Sequence, residues 1–192
     1  MANDIDIGLF SINTDHLVDA EALSTVAMAA EEAGFESVWT AEHVVLPDPQ
    51  MPPSPLPPDA ELLDPTVALG YVAAVTTRIK LATGIIILPQ RNPLVLAKEL
   101  ASVDVLSNGR MLFGVGVGYL EPEFDAIGIP MEDRGRRTTE YIEAMRSIWN
   151  DEDPAYEGDY VSFAGVKAFP RPIQPLGPPV IMGGHSIPAW RR

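Results

Sequence analysis

A largely apolar run from Ile79 to Leu88 constrains the fold of this chain more than any other stretch. It is bounded by Arg78 and by a Pro-Gln-Arg-Asn-Pro sequence that ends at Pro93. A run of aliphatic and β-branched residues between such boundaries is typical of a parallel strand that is buried on both faces. Gly84 interrupts the run, which indicates a bulge or a close approach of another group to the backbone. The alternative is that Gly84 relieves crowding in a barrel interior.

Before and after this run, short apolar strands alternate with helices. We predict the other strands at Asp6–Phe10, Glu36–Thr40, Met111–Gly116 and Val180–Met182. We predict helices over Val18–Ala33, Asp64–Val75, Asn92–Gly109 and Glu132–Asp151. Two of these helices begin with a capping residue followed by proline, and the first ends at Gly34, which are common helix termini. Repeated strand–helix units predict an α/β fold.

The number of repeats indicates part of a barrel. A closed TIM (β/α)8 barrel has eight strands in about 250 residues, whereas this chain of 192 residues has five repeats and ends in what reads as the first turn of a helix. We therefore predict a partial TIM barrel with about five of the eight βα units, in a single domain over residues 1–192. A complete, open five-stranded α/β sheet is the alternative.

Three segments between these elements are predicted to be irregular. Residues 41–64 contain PDPQMPPSPLPPD, in which proline removes backbone donors and excludes a helix or a central strand. A loop of this length is usually a functional lid or disordered, and we favour a lid because it follows the carboxyl end of a strand. Residues 117–131 are predicted as a loop. Residues 153–179 are predicted as an insertion before strand five, with a hairpin around Ala164-Gly165.

Composition narrows the classes of partner. A formal net charge of −14 opposes binding to nucleic acid or to an anionic membrane, because both require a basic face. The absence of cysteine excludes disulfides, thiolate metal sites and a cysteine nucleophile. The N-terminus lacks a secretory signal, and no apolar run approaches the roughly 20 residues that span a bilayer. We expect a cytoplasmic protein that binds a small molecule.

Four stretches fall at the carboxyl ends of successive predicted strands. They are WTAEH (Trp39–His43), LATGIIILPQRNP (Leu81–Pro93), GRMLFGVGVGYLEPEFDAIGIPMEDRGRR (Gly109–Arg137) and IMGGHS (Ile181–Ser186). Together and in this order they resemble the luciferase-like monooxygenase superfamily, and within it the probable oxidoreductases that depend on the deazaflavin coenzyme F-420. The resemblance covers essentially the whole chain and implies a TIM barrel with a cofactor pocket at its carboxyl face. Members of this branch are longer, so it also implies truncation after the fifth strand.

The resemblance implies a pocket for a flat ring. In the family, the third strand ends in a bulge, often with a non-proline cis peptide, that backs one face of a flavin or deazaflavin. Glycines after the fourth strand would let the ribityl chain and ring edge pass close to backbone amides, and the turn after the fifth strand would hold the cofactor phosphate at a helix N-terminus. The implied cofactor-binding residues are Thr83, Gly84, Ile85, Gly116, Val117, Gly118, Gly183 and Gly184, with His185 and Ser186 as further candidates.

His43 and Glu42 are the implied catalytic residues. Histidine suits proton transfer near neutral pH, and a nearby carboxylate can fix its tautomer or raise its pKa. Similar family members use this histidine position beside the ring, which implies that His43 is the general acid or base and that Glu42 supports it. From the residues alone, a loop histidine that caps a helix is the alternative. Sugar-phosphate dehydrogenases in the family carry an acid where this chain has Tyr119, so their substrate is not implied.

These features predict an oxidoreductase that transfers a hydride between F-420 and a small organic substrate, with His43 handling the accompanying proton. One alternative is an FMN-dependent luciferase-like monooxygenase that uses O2, since flavin has a reactive nitrogen where deazaflavin has carbon. The other is an inactive fragment, or a half barrel that forms homo-oligomers through an unpaired edge. The basic cluster of Arg134, Arg136 and Arg137 is predicted to form ion pairs with neighbouring acids rather than an anion site.

Overall fold

The computed structural model describes residues 5–184 and 187–191. Its main sheet is parallel throughout, and two further short strands pair outside it. The strands are β1 (Gly8–Phe10), β2 (Ser37–Thr40), β3 (Lys80–Thr83), β4 (Ile86–Ile87), β5 (Met111–Gly116), β6 (Tyr156–Glu157), β7 (Ser162–Phe163) and β8 (Val180–Met182). The order in the main sheet is β1-β2-β3-β5, and both β4 and β8 pair with β5. Because all these pairs are parallel, the carboxyl ends of the strands lie at one edge.

Helices follow the strands in alternation, which confirms the predicted α/β class. They are α1 (Ala20–Glu32), α2 (Pro65–Val75), α3 (Pro93–Leu106), α4 (Glu121–Ile127), α5 (Arg134–Asn150) and α6 (Ile187–Trp190). Short 3₁₀ turns cover Asp15–Leu17 and Leu88–Gln90. Within residues 5–184 and 187–191, no helix is long and apolar enough to cross a bilayer.

Two helix starts lie where the sequence predicts them. The carboxylate of Asp64 accepts hydrogen bonds from the backbone N–H groups of Thr66 and Val67 at 2.9 and 3.1 Å, at the start of α2. Asn92 caps α3 through its side-chain oxygen in the same way. In both helices the first residue is proline. The lack of an N–H group is tolerated at this position, because an N–H there would have no hydrogen-bond partner within the helix. Gly34 follows α1 with a φ of +85°, the left-handed conformation that glycine adopts without strain.

The apolar run at Ile79–Leu88 forms two strands rather than the single strand that we predicted. A cis peptide between Gly84 and Ile85 separates β3 from β4. Between the last pair of β3 and the first pair of β4, the chain advances four residues, whereas β5 opposite advances three. The extra residue is a β-bulge, so β3 and β4 together occupy one strand position of the barrel.

Two other predictions are wrong in detail. Residues 117–131, predicted as a loop, contain α4, and Pro122 in its first turn is compatible with a helix start. The hairpin predicted around Ala164-Gly165 is formed instead by β6 and β7, which pair antiparallel across residues 158–161. This hairpin forms its own two-stranded sheet within the segment of residues 153–179.

One apolar core joins the main sheet to the helices beside it. Fully buried side chains from α2, β3, α3 and β5 meet there, including Leu69, Leu81, Leu100 and Phe113. The apolar stripe of α5 is buried as well, and its Trp149 donates a hydrogen bond from Nε1 to a backbone carbonyl of α3 at 2.9 Å. This packing holds the strand ends in place.

The Pro-rich loop of residues 41–64 is fixed at both ends by the same side chains. Asn13 is fully buried, and its amide nitrogen donates to the carbonyl oxygens of Ala41 and Leu63 at 2.9 and 2.6 Å. Its amide oxygen accepts from the backbone N–H of Ala41 at 2.7 Å. Arg91 also forms ion pairs with carboxylates at both ends of the loop. The loop therefore leaves and rejoins the sheet edge at defined points.

Candidate functional site

A cavity of about 610 Å³ opens at the carboxyl edge of the main sheet. Its walls come from the ends of β1, β2, β4, β5 and β8 and from the Pro-rich loop, and most of the side chains that line it are apolar. A mostly apolar cavity of this size, with few polar groups, is typical of a small-molecule site. The structure brings nine of the sequence-predicted site residues to this cavity: Glu42, His43, Gly84, Ile85, Gly116, Val117, Gly118, Gly183 and Gly184.

Thr83 is the predicted cofactor residue that does not border the cavity. Its side chain is fully buried, and its hydroxyl donates to the carbonyl oxygen of Gly114 at 2.7 Å. A Cβ on Gly114 would lie only 1.7 Å from the carbonyl oxygen of Thr83. Thr83 thus ties the bulge to β5, and its assignment to the cofactor stays a prediction.

The Gly84–Ile85 bulge forms one wall of the cavity, and the first two strands pack behind it. The backbone N–H of Gly84 donates to the carbonyl oxygen of Thr40 at 2.8 Å. A Cβ on Gly84 would lie 2.8 Å from Cε2 of Phe10 and 3.0 Å from the same Thr40 oxygen. Both interpretations of Gly84 therefore apply, because the residue sits in a bulge and also avoids a clash with its neighbours.

The side chain of Ile85 explains two of the predicted cofactor glycines. A Cβ on Gly116 would lie 2.6 Å from Cδ1 of Ile85, and a Cβ on Gly183 would lie 2.9 Å from its Cγ2. Gly118 has a φ of +78°, and a Cβ there would lie 2.6 Å from the ring of Phe124. Packing within the protein thus favours glycine at these positions. The predicted reason, a close approach of the cofactor to backbone amides, is not needed to explain them.

His43 lies directly after β2 and borders the cavity with a side chain that is only 9% exposed. Its Nδ1 lies 3.2 Å from Oε2 of Glu123, a residue of α4 whose side chain is fully buried. The ring of Tyr119 meets the imidazole edge-on, with 6.0 Å between the ring centroids. The carboxylate that contacts His43 is therefore Glu123, and the predicted support of His43 by Glu42 is corrected.

Glu42 instead contacts β4, the strand that follows the bulge. Its carboxylate accepts from the backbone N–H of Ile87 in β4 and forms an ion pair with Arg91, whose Nε donates at 2.9 Å. Arg91 also pairs with Asp64 at 2.6 Å and approaches Glu99 at 3.8 Å. Burial raises the pKa of Glu42 above its usual value, and Arg91 and the Ile87 N–H offset this only in part. The cluster joins the bulge to both ends of the Pro-rich loop.

Sequence reasoning missed Glu123 and Arg91 as site residues. Glu123 belongs to a segment that was predicted as a loop, and it is 80 residues from its partner His43. The only local signal was the helix-start pattern Glu-Pro-Glu, which does not reveal what the carboxylate contacts. Arg91 was interpreted only as the end of a strand, although a charge next to a long apolar run can indicate a buried ion pair.

Two other predictions concern the turn after β8 and the basic cluster. His185 and Ser186, the further candidates for holding a phosphate, lie outside the described residues. In the predicted basic cluster, Arg136 forms an ion pair with Asp133, and the guanidinium of Arg137 lies 4.4 Å from the ring centroid of Tyr160. For Arg136 the predicted ion pair is confirmed.

Comparison with known proteins relates this chain to a family. The family model described as luciferase-like monooxygenase matches residues 9–192. An uncharacterised protein of Mycobacterium tuberculosis is 38% identical over 166 residues, which are 82% of this chain and 59% of that protein. An F420-dependent glucose-6-phosphate dehydrogenase of Amycolatopsis mediterranei is 32% identical over 168 residues, which are 84% of this chain and 47% of the enzyme.

A solved structure extends the similarity to the fold. The monooxygenase RslO1 from Streptomyces bottropensis matches with a TM-score of 0.75 and 31% identity, over 92% of this chain and 52% of that one. This chain thus spans about half the length of the relatives it matches. The structural neighbours are luciferase-like TIM barrels, which confirms the predicted partial barrel. With nearly all its residues matched by the family model, the chain belongs to the luciferase-like monooxygenase family.

Proposed function

We propose that this chain transfers a hydride between coenzyme F-420 and a small organic substrate, with His43 as the proton donor or acceptor. The observation that carries the proposal is that His43 and the Gly84–Ile85 bulge border the same apolar cavity. The similarity to an F420-dependent dehydrogenase supports the choice of cofactor. The segment of that enzyme that matches this chain is only about half of the enzyme's length. The substrate and the activity are therefore proposals about the whole protein.

The residues present fit a flat cofactor. The apolar wall formed by Ile85, Ile87 and Val117 suits an aromatic ring system, and the cavity volume falls within the usual range for cofactor sites. We propose that the bulge backs one face of the ring, and that Gly116–Gly118 and Gly183–Gly184 border its edge and side chain. When bound, F-420 supplies the site that accepts or donates the hydride.

The remaining steps belong to the residues of the chain. His43 holds or releases the proton that accompanies the hydride, and Glu42 keeps β4 in place behind the ring through its bond to the Ile87 N–H. The Pro-rich loop contributes Pro55 and Leu56 to the cavity wall. We propose that it is a lid that excludes water while a substrate packs on the open face of the ring.

Titration of the purified protein with F-420 and, separately, with FMN tests this proposal. We expect micromolar binding of F-420, monitored by its fluorescence. We also expect His43→Asn to lower the rate of F-420 reduction with an accepted substrate by about 10²- to 10⁴-fold without weakening F-420 binding. His16→Asn is the matched control, because His16 is exposed and lies outside the cavity. Full activity of His43→Asn would remove His43 from the mechanism.

An FMN-dependent monooxygenase is the second candidate, because the chain is 31% identical to the monooxygenase RslO1 over 92% of its length. Preferential binding of FMN, with O2 consumption in the presence of reduced flavin, would support this function and contradict the F-420-dependent one. A protein that binds neither cofactor would contradict both. Size-exclusion chromatography in the same experiment would show whether such a protein forms a homo-oligomer instead.

A further inference from the structure

Glu123 is a buried acid beside the proposed proton-transfer residue. It lies in α4 and is 1% exposed, and its two carboxylate oxygens have different partners. Oε1 accepts from the backbone N–H of Val44 at 2.6 Å, and Oε2 lies 3.2 Å from Nδ1 of His43. Both partners belong to the segment directly after β2, so one carboxylate fixes the backbone and the imidazole of the same turn.

The charge of Glu123 determines which imidazole nitrogen carries the proton. Burial acts to raise the pKa of Glu123, but the hydrogen bonds from His43 and from the Val44 N–H outweigh it and lower the pKa below its usual value. The group is therefore ionised near neutral pH and can only accept hydrogen bonds. Nδ1 of His43 must then be the donor, and Nε2 of the neutral imidazole has no proton.

We propose that Glu123 is a positioning residue that holds His43 with Nδ1 protonated and with Nε2 presented to the cavity as a proton acceptor. The inference rests on the proposed function only for its catalytic consequence. If a substrate hydroxyl is oxidised, Nε2 would accept its O–H proton, and bound F-420 would supply the acceptor for the hydride from the adjacent C–H bond. The product is a carbonyl group, and the positive charge on the imidazole lies next to the Glu123 carboxylate, which stabilises it.

Tyr119 restrains the same imidazole from another direction. Its ring meets that of His43 at an interplanar angle of 89°, which is the edge-on arrangement that aromatic rings favour. With Glu123 bonded to Nδ1 and Tyr119 against the ring, both the rotation and the tautomer of His43 are fixed. The geometry thus supplies an oriented base before any ligand binds.

The substitution Glu123→Gln tests the proposal with little change in shape. The Val44 N–H can only donate, so the glutamine must keep its oxygen there and turn its NH2 group towards Nδ1 of His43. Nδ1 would then accept, and the proton would move to Nε2. We expect the tautomer of His43 to reverse, as measured by long-range 1H–15N correlation spectra of the 15N-labelled protein without cofactor.

Controls make the spectra decisive. The chain has three histidines, and His43→Asn identifies the signals of His43. Glu121→Gln, an exposed change in the same helix, should leave the tautomer as in the wild type. A wild-type spectrum with the proton on Nε2 would overturn the proposal even if Glu123→Gln failed to fold. An unchanged tautomer in folded Glu123→Gln would overturn it as well.

Kinetics separate this inference from the proposed function. With F-420 and an accepted alcohol, Glu123→Gln should lower kcat by about 10²-fold or more while KM changes little, because the base is presented in the wrong tautomer. If His43→Asn is fully active, the role of His43 in the proposed function fails, whereas the tautomer measured without cofactor still tests the role of Glu123. If the tautomer reverses but kcat does not fall, the catalytic part of this inference fails.

Discussion

Replacement of Arg91 by methionine should leave a buried charge without its partner. The side chain of Glu42 is 1% exposed, and Arg91 is its ion-pair partner, whereas the other two carboxylates near Arg91 are more than a third exposed. In the variant, Asp64 and Glu99 can still be solvated by water. The penalty therefore concentrates on Glu42, which keeps only the hydrogen bond from the Ile87 N–H.

The size of the effect follows from the burial of that charge. Removal of one partner from a buried ion pair typically costs about 3–5 kcal/mol. We expect about 3 kcal/mol for Arg91→Met at pH 7, because Ile87 continues to donate and because Glu42 can take up a proton. The double variant Arg91→Met/Glu42→Gln carries no stranded charge, so we expect its loss to be only about 1 kcal/mol, from hydrogen bonds to neutral groups.

The pH dependence has a definite sign. The native pKa of Glu42 lies above its usual value, so the folded state binds more protons than the unfolded state between those two values. Stability therefore falls as the pH rises through this window. Loss of Arg91 raises the native pKa of Glu42 further, which widens the window. The destabilisation of Arg91→Met should be smallest in acid, below the usual glutamate pKa, and should grow towards neutral pH.

Urea unfolding followed by tryptophan fluorescence, at pH 4 and pH 7, measures these differences. Arg136→Met is the matched control, because its ion pair with Asp133 is exposed, and we expect it to lose less than about 1 kcal/mol. The reasoning is refuted if Arg91→Met loses no more stability than Arg136→Met. It is also refuted if the double variant is as unstable as the single one.

Two further predictions concern the bulge and the turn before β3. Gly114→Ala should destabilise the protein by about 1–3 kcal/mol, because its Cβ would lie 1.7 Å from the Thr83 carbonyl oxygen. Gly70→Ala in α2 is the control: its Cβ meets no neighbour, so it should stabilise the protein by about 0.5–1 kcal/mol. Equal effects of the two substitutions in thermal unfolding would contradict this prediction. For Glu31, burial acts to raise the pKa, but the N–H groups of residues 77–79 outweigh it and lower the pKa to about 2. After allowance for solvent screening, the wild type should therefore be about 1 kcal/mol more stable than Glu31→Gln at pH 6. It should lose this advantage as the pH falls to about 2. If unfolding experiments show that the advantage persists at pH 2, the prediction is wrong.

Local sequence was sufficient to predict those features whose interacting groups are close along the chain. The caps of Asp64 and Asn92 bind N–H groups two and three residues away, and the left-handed Gly34 follows from the conformational freedom of glycine. Alternation of strands and helices follows from hydrophobic periodicity, which depends on neighbouring residues alone. The cavity position also follows, because the carboxyl ends of parallel strands share one edge of the sheet.

The tertiary structure decided what these groups contact. Glu123 and His43 are 80 residues apart, and Arg91 and Glu42 are 49 residues apart, so no local pattern relates them. The bulge likewise depends on β5, where a missing side chain at Gly114 admits the Thr83 oxygen. The sequence by itself thus determined the class of fold and the edge of the sheet at which the cavity lies. Packing between distant segments decided which carboxylate serves His43 and which supports the bulge, because hydrogen bonds and steric contacts depend on distance in space.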